Sequence, residues 1–195
     1  MPRTKEQYEQ IRSEKRKIIK QVALKLFATK GYATTSINDI AQTAGISKGL
    51  MYNYFKSKEE VLQTIWDELT EEFVTMIDPN HDGEITPEES KNFIDKTFEL
   101  LINRREEMKL YFQCSFQPDV IKFLEHKYLH RVAAQQKFII GHFAGKLPVA
   151  DKQHAYFSVH VFLKGLGMVI TYAEHLYADE FLMNYKEFLK KIIYK

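Results

Sequence analysis

The stretch Ser36-Ile37-Asn38-Asp39-Ile40-Ala41-Gln42-Thr43-Ala44-Gly45-Ile46-Ser47-Lys48-Gly49-Leu50-Met51-Tyr52-Asn53-Tyr54 decides how this chain is read. Ser36 followed three residues later by Asp39 has the spacing of a capping box, in which each residue satisfies a free N–H of the other at a helix start. The helix it opens carries Ile37, Ile40, Ala41 and Ala44 on one side and stops at Gly45, which can take the positive φ that a tight turn needs. Ser47 then caps a second short helix through Tyr54. Two short helices joined at Ala44-Gly45-Ile46 have the spacing of a helix-turn-helix, with Ile40, Ala41, Ile46 and Met51 packing the pair against a third helix. The second helix presents Ser47, Lys48, Leu50, Asn53 and Tyr54. Short polar residues at a helix start suit phosphate contact and entry into a major groove, and an Asn there can pair with the edge of adenine.

The remaining chain reads as helix throughout, because period-2 alternation never persists. Ile18, Val22 and Leu26 beside Ile19, Ala23 and Phe27 make a double stripe at four-residue spacing, closed by Lys30-Gly31. Ser57-Lys58-Glu59-Glu60 opens a helix bearing Val61, Leu62, Ile65, Leu69, Phe73 and Ile77, which stops at Asp78-Pro79. Thr86-Pro87-Glu88-Glu89 combines a cap, a proline in the first turn and an acid at the third position, and begins another. Later helices are expected around 105–116, 119–145, 150–175 and 178–193, punctuated by Gln117-Pro118, Leu147-Pro148 and Ala178-Asp179.

Composition sets the class. The 195 residues are 45% hydrophobic, with eight Gly, five Pro and one Cys, which describes a soluble globular protein and excludes disordered and fibrous ones. Cys114 alone can form neither an intramolecular disulfide nor a cysteine metal cage. A charged, polar start and the lack of a long apolar run point to a cytoplasmic protein without a leader or membrane span. The formal charge of +2 hides opposite ends. Met1 to Lys58 holds twelve basic residues and four acids, whereas Asp67 to Glu89 holds nine acids and neither Lys nor Arg. The first segment suits a polyphosphate and the second repels one. A charge run taken alone is more often a solvated face.

The run from Gly31-Tyr32-Ala33-Thr34-Thr35-Ser36 through Ser47-Lys48-Gly49-Leu50-Met51-Tyr52-Asn53-Tyr54-Phe55-Lys56-Ser57-Lys58-Glu59-Glu60-Val61-Leu62 closely resembles the DNA-binding domain of the TetR family of bacterial transcription regulators. The resemblance implies an all-α fold with a DNA-binding domain over residues 1–57 and a helical effector-binding and dimerisation domain over 58–195. It implies a homodimer on a palindromic operator of double-stranded DNA, acting as a repressor released by a small apolar effector. Thr34 and Thr35 then correspond to phosphate contacts, Lys48 and Gly49 to the start of the reading helix, and Tyr54 and Lys58 to backbone contacts. Leu50 and Asn53 stand where the family usually has Thr and His, so base preference does not carry over. Ser47 and Ser57 also read as plain caps. Tyr52 and Phe55 read first as packing residues, with Tyr52 kept among the DNA candidates.

Asp78-Pro79-Asn80-His81-Asp82-Gly83-Glu84-Ile85-Thr86-Pro87-Glu88-Glu89 fits a twelve-residue calcium loop, with Asp78, Asn80, Asp82, the Glu84 carbonyl, Thr86 and Glu89 as oxygen ligands for Ca²⁺. The competing reading is a turn followed by a capping box. The alternative function that goes with the loop is a calcium-binding helical interaction module. In the second domain, Tyr111, Phe112, Phe116 and Phe162 are candidates for an apolar effector pocket, although most aromatics there must be core. His126 and His130, four apart, read as a solvated pair before a metal site. Val159, Phe162, Leu163, Leu166, Val169 and Ile170, with Phe181, Leu182, Phe188, Leu189 and Ile192, are more apolar than one buried stripe requires, and Gly165 and Gly167 permit close helix approach. The resemblance assigns them to the dimer interface. No nucleophile elbow, phosphate-cradling loop or zinc helix is present, so the chain is not read as an enzyme.

Overall fold

The computed structural model describes residues 4–128, 141–144, 161, 164–172 and 176–194, and every regular element among them is helical. In chain order these are α1 (Lys5–Thr29), α2 (Ile37–Thr43), α3 (Lys48–Tyr52), α4 (Lys58–Ile77), α5 (Pro87–Asn103), α6 (Arg105–Ser115), α7 (Pro118–Tyr128) and a C-terminal helix, Asp179–Ile193. Residues 141–144 and 164–172 are also helical. Among the described residues no helix is long and apolar enough to cross a membrane.

Local chemistry explains the boundaries. Thr4 and Gln7 form a reciprocal capping box, so α1 starts well before its apolar stripe. Of the two expected stripes, the structure buries Ile19, Ala23 and Phe27 with Leu24, while Ile18 is exposed. A single helix has room for one such face against a small domain's core. Gly31, at φ +100°, turns the chain after the helix. The Ser36–Asp39 box caps α2 as the spacing predicts, and Gly45 sits at φ +67° between α2 and α3. The α4 and α5 starts also fall where their caps predict, the latter through Thr86 and Glu89 with Pro87 in the first turn.

The chain divides into two compact units. The first takes Met1–Thr70 and Gln113–Ile121, so residues 57 and 58 both lie inside it. Its core is Phe27, Ile40, Ala41, Met51, Phe55, Val61, Leu62 and Ile65, all almost fully buried. Phe27 meets Tyr32 edge-on at 5.0 Å between ring centres. The second unit takes Glu71–Phe112 and Lys122–Lys195. There α5 buries Phe93, Ile94, Phe98 and Leu101 and packs on the C-terminal helix. Asp95 anchors that pair by accepting from Lys186 at 2.9 Å and Lys190 at 2.8 Å. Burial would raise the Asp95 pKa, but the hydrogen bonds from the two lysines outweigh it and hold the carboxyl below its ordinary value. Ser90, fully buried, hydrogen-bonds the Tyr194 hydroxyl and lies 3.0 Å from His142 Nε2.

Candidate nucleic-acid interface

The reading helix presents one side outward. Met51 is wholly buried and pins α3 to the core, while Ser47, Lys48, Gly49, Leu50, Tyr52 and Asn53 are all exposed. Ser47 caps the helix by accepting from the Leu50 N–H at 3.2 Å. The side chains of Lys48 and Asn53 have no hydrogen-bond or ion-pair partner among the described residues, which leaves their donors and acceptors available. Tyr52 departs from the packing role expected of it: it is 46% exposed, whereas Phe55 is 1% exposed and lies in the core. The Arg16 guanidinium stacks 4.2 Å above the Phe55 ring and donates to the Tyr54 carbonyl at 2.6 Å. In sequence Arg16 counted only as charge. Here it ties α1 to the chain just after α3.

The two threonines separate. Thr34 is exposed and donates to the Lys30 carbonyl at 2.6 Å. Thr35 is 1% exposed, and its hydroxyl donates to the Gly31 carbonyl at 2.7 Å. Its side chain is therefore part of the α1–α2 turn and is not presented outward as the phosphate assignment requires. Lys58 is likewise engaged inside the fold. Its ammonium donates to the carbonyls of Tyr32, Ala33 and Thr35 at 2.8, 3.2 and 3.0 Å, and sits 4.4 Å over the Tyr32 ring. The Tyr32 hydroxyl donates to Glu59 at 3.2 Å, and burial first, then the Glu59 charge, pushes its pKa well above the ordinary phenol value. Beside these groups an open cleft of about 360 Å³ lies between the 33–37 turn and Tyr52, with Lys56 and Ser57 on its wall.

Gln117 was legible only as half of a Gln-Pro break. Its side chain donates to the Phe27 carbonyl at 2.6 Å and accepts from the Tyr32 N–H at 2.7 Å, so it satisfies main-chain groups at the end of α1 and in the following turn. No spacing rule in the sequence announces such a contact, since the partners lie 85 and 90 residues away.

Residues 19–65 match the profile of bacterial regulatory proteins of the tetR family. Over those residues the chain is similar to the DNA-binding domain of TetR-family regulators. The HTH-type transcriptional regulator YuxN of Bacillus subtilis is 57% identical over 49 residues, which cover 25% of this chain and 17% of that protein. The negative transcriptional regulator IcaR of the biofilm operon icaADBC from Staphylococcus epidermidis is 31% identical over 99 residues, 51% of this chain and 52% of the relative. The matched segments thus span about half of these relatives or less. The fold extends further: the fatty acid degradation regulator FadR from Bacillus halodurans superimposes with a TM-score of 0.66 at 18% identity, covering 92% of this chain and 94% of that one.

Elsewhere the expected sites fare differently. In the 78–89 loop, Asp78 is buried and accepts from the N–H groups of Asp82 at 3.2 Å and Gly83 at 3.1 Å. Asn80 accepts from the Asp82 N–H at 3.2 Å, and Asp82 accepts from the Glu84 N–H at 2.8 Å. Glu89 accepts from the N–H and hydroxyl of Thr86 at 2.9 and 2.8 Å. The oxygens assigned to Ca²⁺ therefore hold the loop's own backbone, and among the described residues no three His, Cys, Asp or Glu side chains converge as a metal site. The Ca²⁺ expectation therefore has no support among the described residues. Of the four pocket candidates, Phe112 packs against Gly167, where an added Cβ would lie 2.7 Å from its ring, and Tyr111 is half-buried. Phe116 is exposed and belongs to the first unit. Phe162 lies outside the described residues, as does His130.

Proposed function

We propose that this chain is a homodimeric transcription regulator of the repressor type, which places one α3 per protomer in successive major grooves of a palindromic operator and is released by a small apolar effector. The exposed face of α3, backed by fully buried Met51 inside a strongly basic segment, is the observation that carries this reading. Ser47, Lys48, Gly49, Leu50, Tyr52 and Asn53 face the bases and nearby phosphates, with Thr34, Tyr54 and Lys56 alongside on the backbone. Thr35 and Lys58 act from inside, holding the turn that presents these groups. The descriptions of the relatives as transcription regulators support the same reading.

The C-terminal helix supplies the protomer contact in this proposal. Phe181 and Phe188 are 52% and 55% exposed, and Tyr177, Phe181, Tyr185 and Phe188 follow one another in ring contact along one side. So much exposed aromatic surface on one helix is costly in water unless a partner covers it. A symmetric dimer with half-sites one helical turn, about 34 Å, apart matches the two-fold symmetry of a palindrome.

The test is titration of duplex DNA from the chain's own regulatory region, followed by fluorescence anisotropy at several salt concentrations. Binding should weaken steeply with salt, and Lys48→Glu combined with Asn53→Ala should abolish selectivity for the operator over random duplex. Equal affinity of parent and double variant for the operator would refute the reader assignment. A monomer by sedimentation at micromolar concentration would refute the dimer.

A further inference from the structure

Leu50 is the odd member of the reading face. Ser47, Lys48, Tyr52 and Asn53 each offer a donor or an acceptor. Leu50 offers none, yet it is 39% exposed, next to a fully buried Met51 that already supplies the core contact. More than a third of its surface is therefore left outside the fold. The major-groove edges of the bases present donors, acceptors and one apolar group, the C5-methyl of thymine. A leucine pressed on any other base edge would strip water from a polar atom without replacing the hydrogen bond. Gly49, just before it, has open space where a Cβ would stand, so no neighbouring side chain on that position holds α3 away from the groove floor. The surrounding segment is basic enough to bring the duplex to this face.

We propose that Leu50 is a specificity-determining residue that selects thymine through its C5-methyl group. Each half-site then carries a T·A pair facing Leu50, and 5-methylcytosine, which presents a methyl at the same place, substitutes for thymine better than cytosine does. This inference rests on the reading that α3 lies in the major groove.

The experiment uses the full-length protein and a duplex selected by it from a randomised pool. Each thymine of the half-sites is replaced in turn by deoxyuridine, which removes only the methyl. One position per half-site should lose about fourfold in affinity, the share of a single buried methyl, and about fifteenfold when both half-sites are changed. Leu50→Ala should bind the parent duplex more weakly and be indifferent to that replacement, while circular dichroism shows the same helix content. Methylating a cytosine placed at that position should restore part of the loss for the parent protein only. If every uridine duplex binds within 1.5-fold of its thymine parent, or if Leu50→Ala keeps the full uridine penalty, the inference is overturned while salt-dependent binding still upholds the DNA-binding reading. If no duplex is enriched or bound at low salt, both fall together.

Discussion

Replacing Lys58 by Met keeps the aliphatic stem and removes the ammonium that three carbonyls share in the α1–α2 turn. The acceptors are those of Tyr32, Ala33 and Thr35, at 2.8, 3.2 and 3.0 Å. A hydrogen bond to a charged group contributes about 1.5–3 kcal/mol when water cannot replace it. Lys58 is half-buried, so water recovers part of that for the outer Ala33 carbonyl, and the cation over the Tyr32 ring adds about 0.5–1 kcal/mol. A net loss of about 2 kcal/mol follows, or about 4–8 °C in Tm for a chain of this size. Urea unfolding followed by circular dichroism measures it. Because the ammonium is already engaged, the slope of log Kd against log salt should stay as in the parent. Lys48→Met should instead reduce that slope by about 1.8, the loss of one phosphate contact in each protomer of the dimer. Parental stability together with a slope reduced by about 1.8 in Lys58→Met would show that the lysine serves DNA and that this account of the turn is wrong.

Gly49→Ala should raise stability by about 0.5–1 kcal/mol, since its Cβ meets nothing within 4 Å and alanine is the better helix former, yet weaken operator binding; unchanged affinity would contradict close approach of α3 to DNA. Gly167→Ala should cost about 1–3 kcal/mol by driving a Cβ into the Phe112 ring, and Phe112→Leu in the same chain should recover part of it in thermal melts. Cys114, fully buried and with its thiol pushed up to about 12 by that burial, should resist alkylation at pH 8 until urea unfolds the chain; native labelling at the rate of a free thiol would refute the burial. Hydrogen bonds from Ser36 first, then Lys30, hold the Asp39 carboxyl well below its ordinary range. Its folded pKa is lower than its unfolded one, so its contribution is present above about pH 4 and is lost as pH falls below that. Asp39→Asn should therefore flatten the acid limb of the stability profile, and an unaltered limb would count against the capping box.

The readable parts of the chain were those governed by neighbours in sequence. Ser36 with Asp39 and Thr86 with Glu89 are three apart, the distance a cap spans, and both boxes form. Gly45 takes the turn conformation its place between two short helices demanded. Periodicity was less decisive where two stripes competed: Ile18 and Ile19 look alike in the sequence, and only the packing of α1 chose Ile19. In the 78–89 segment the spacing of Asp78, Asn80 and Asp82 serves an ion or a self-bonded turn equally well, and in the fold these side chains accept from the segment's own backbone.

Residue order alone determined the helical class and the helix-turn-helix, because caps, a turn glycine and a four-residue apolar repeat act over one or two turns of chain. The tertiary structure decided which of the candidate contact residues face outward. Thr34 and Thr35 are adjacent and chemically alike, yet only the second is buried, and the Lys58 ammonium is drawn to carbonyls 23 to 26 residues away. Tyr52 went outward where packing was expected, and Gln117 found main-chain partners 85 and 90 residues back. Such outcomes depend on which unsatisfied polar groups the folded chain brings within about 3 Å of a side chain, a distance that no local pattern encodes.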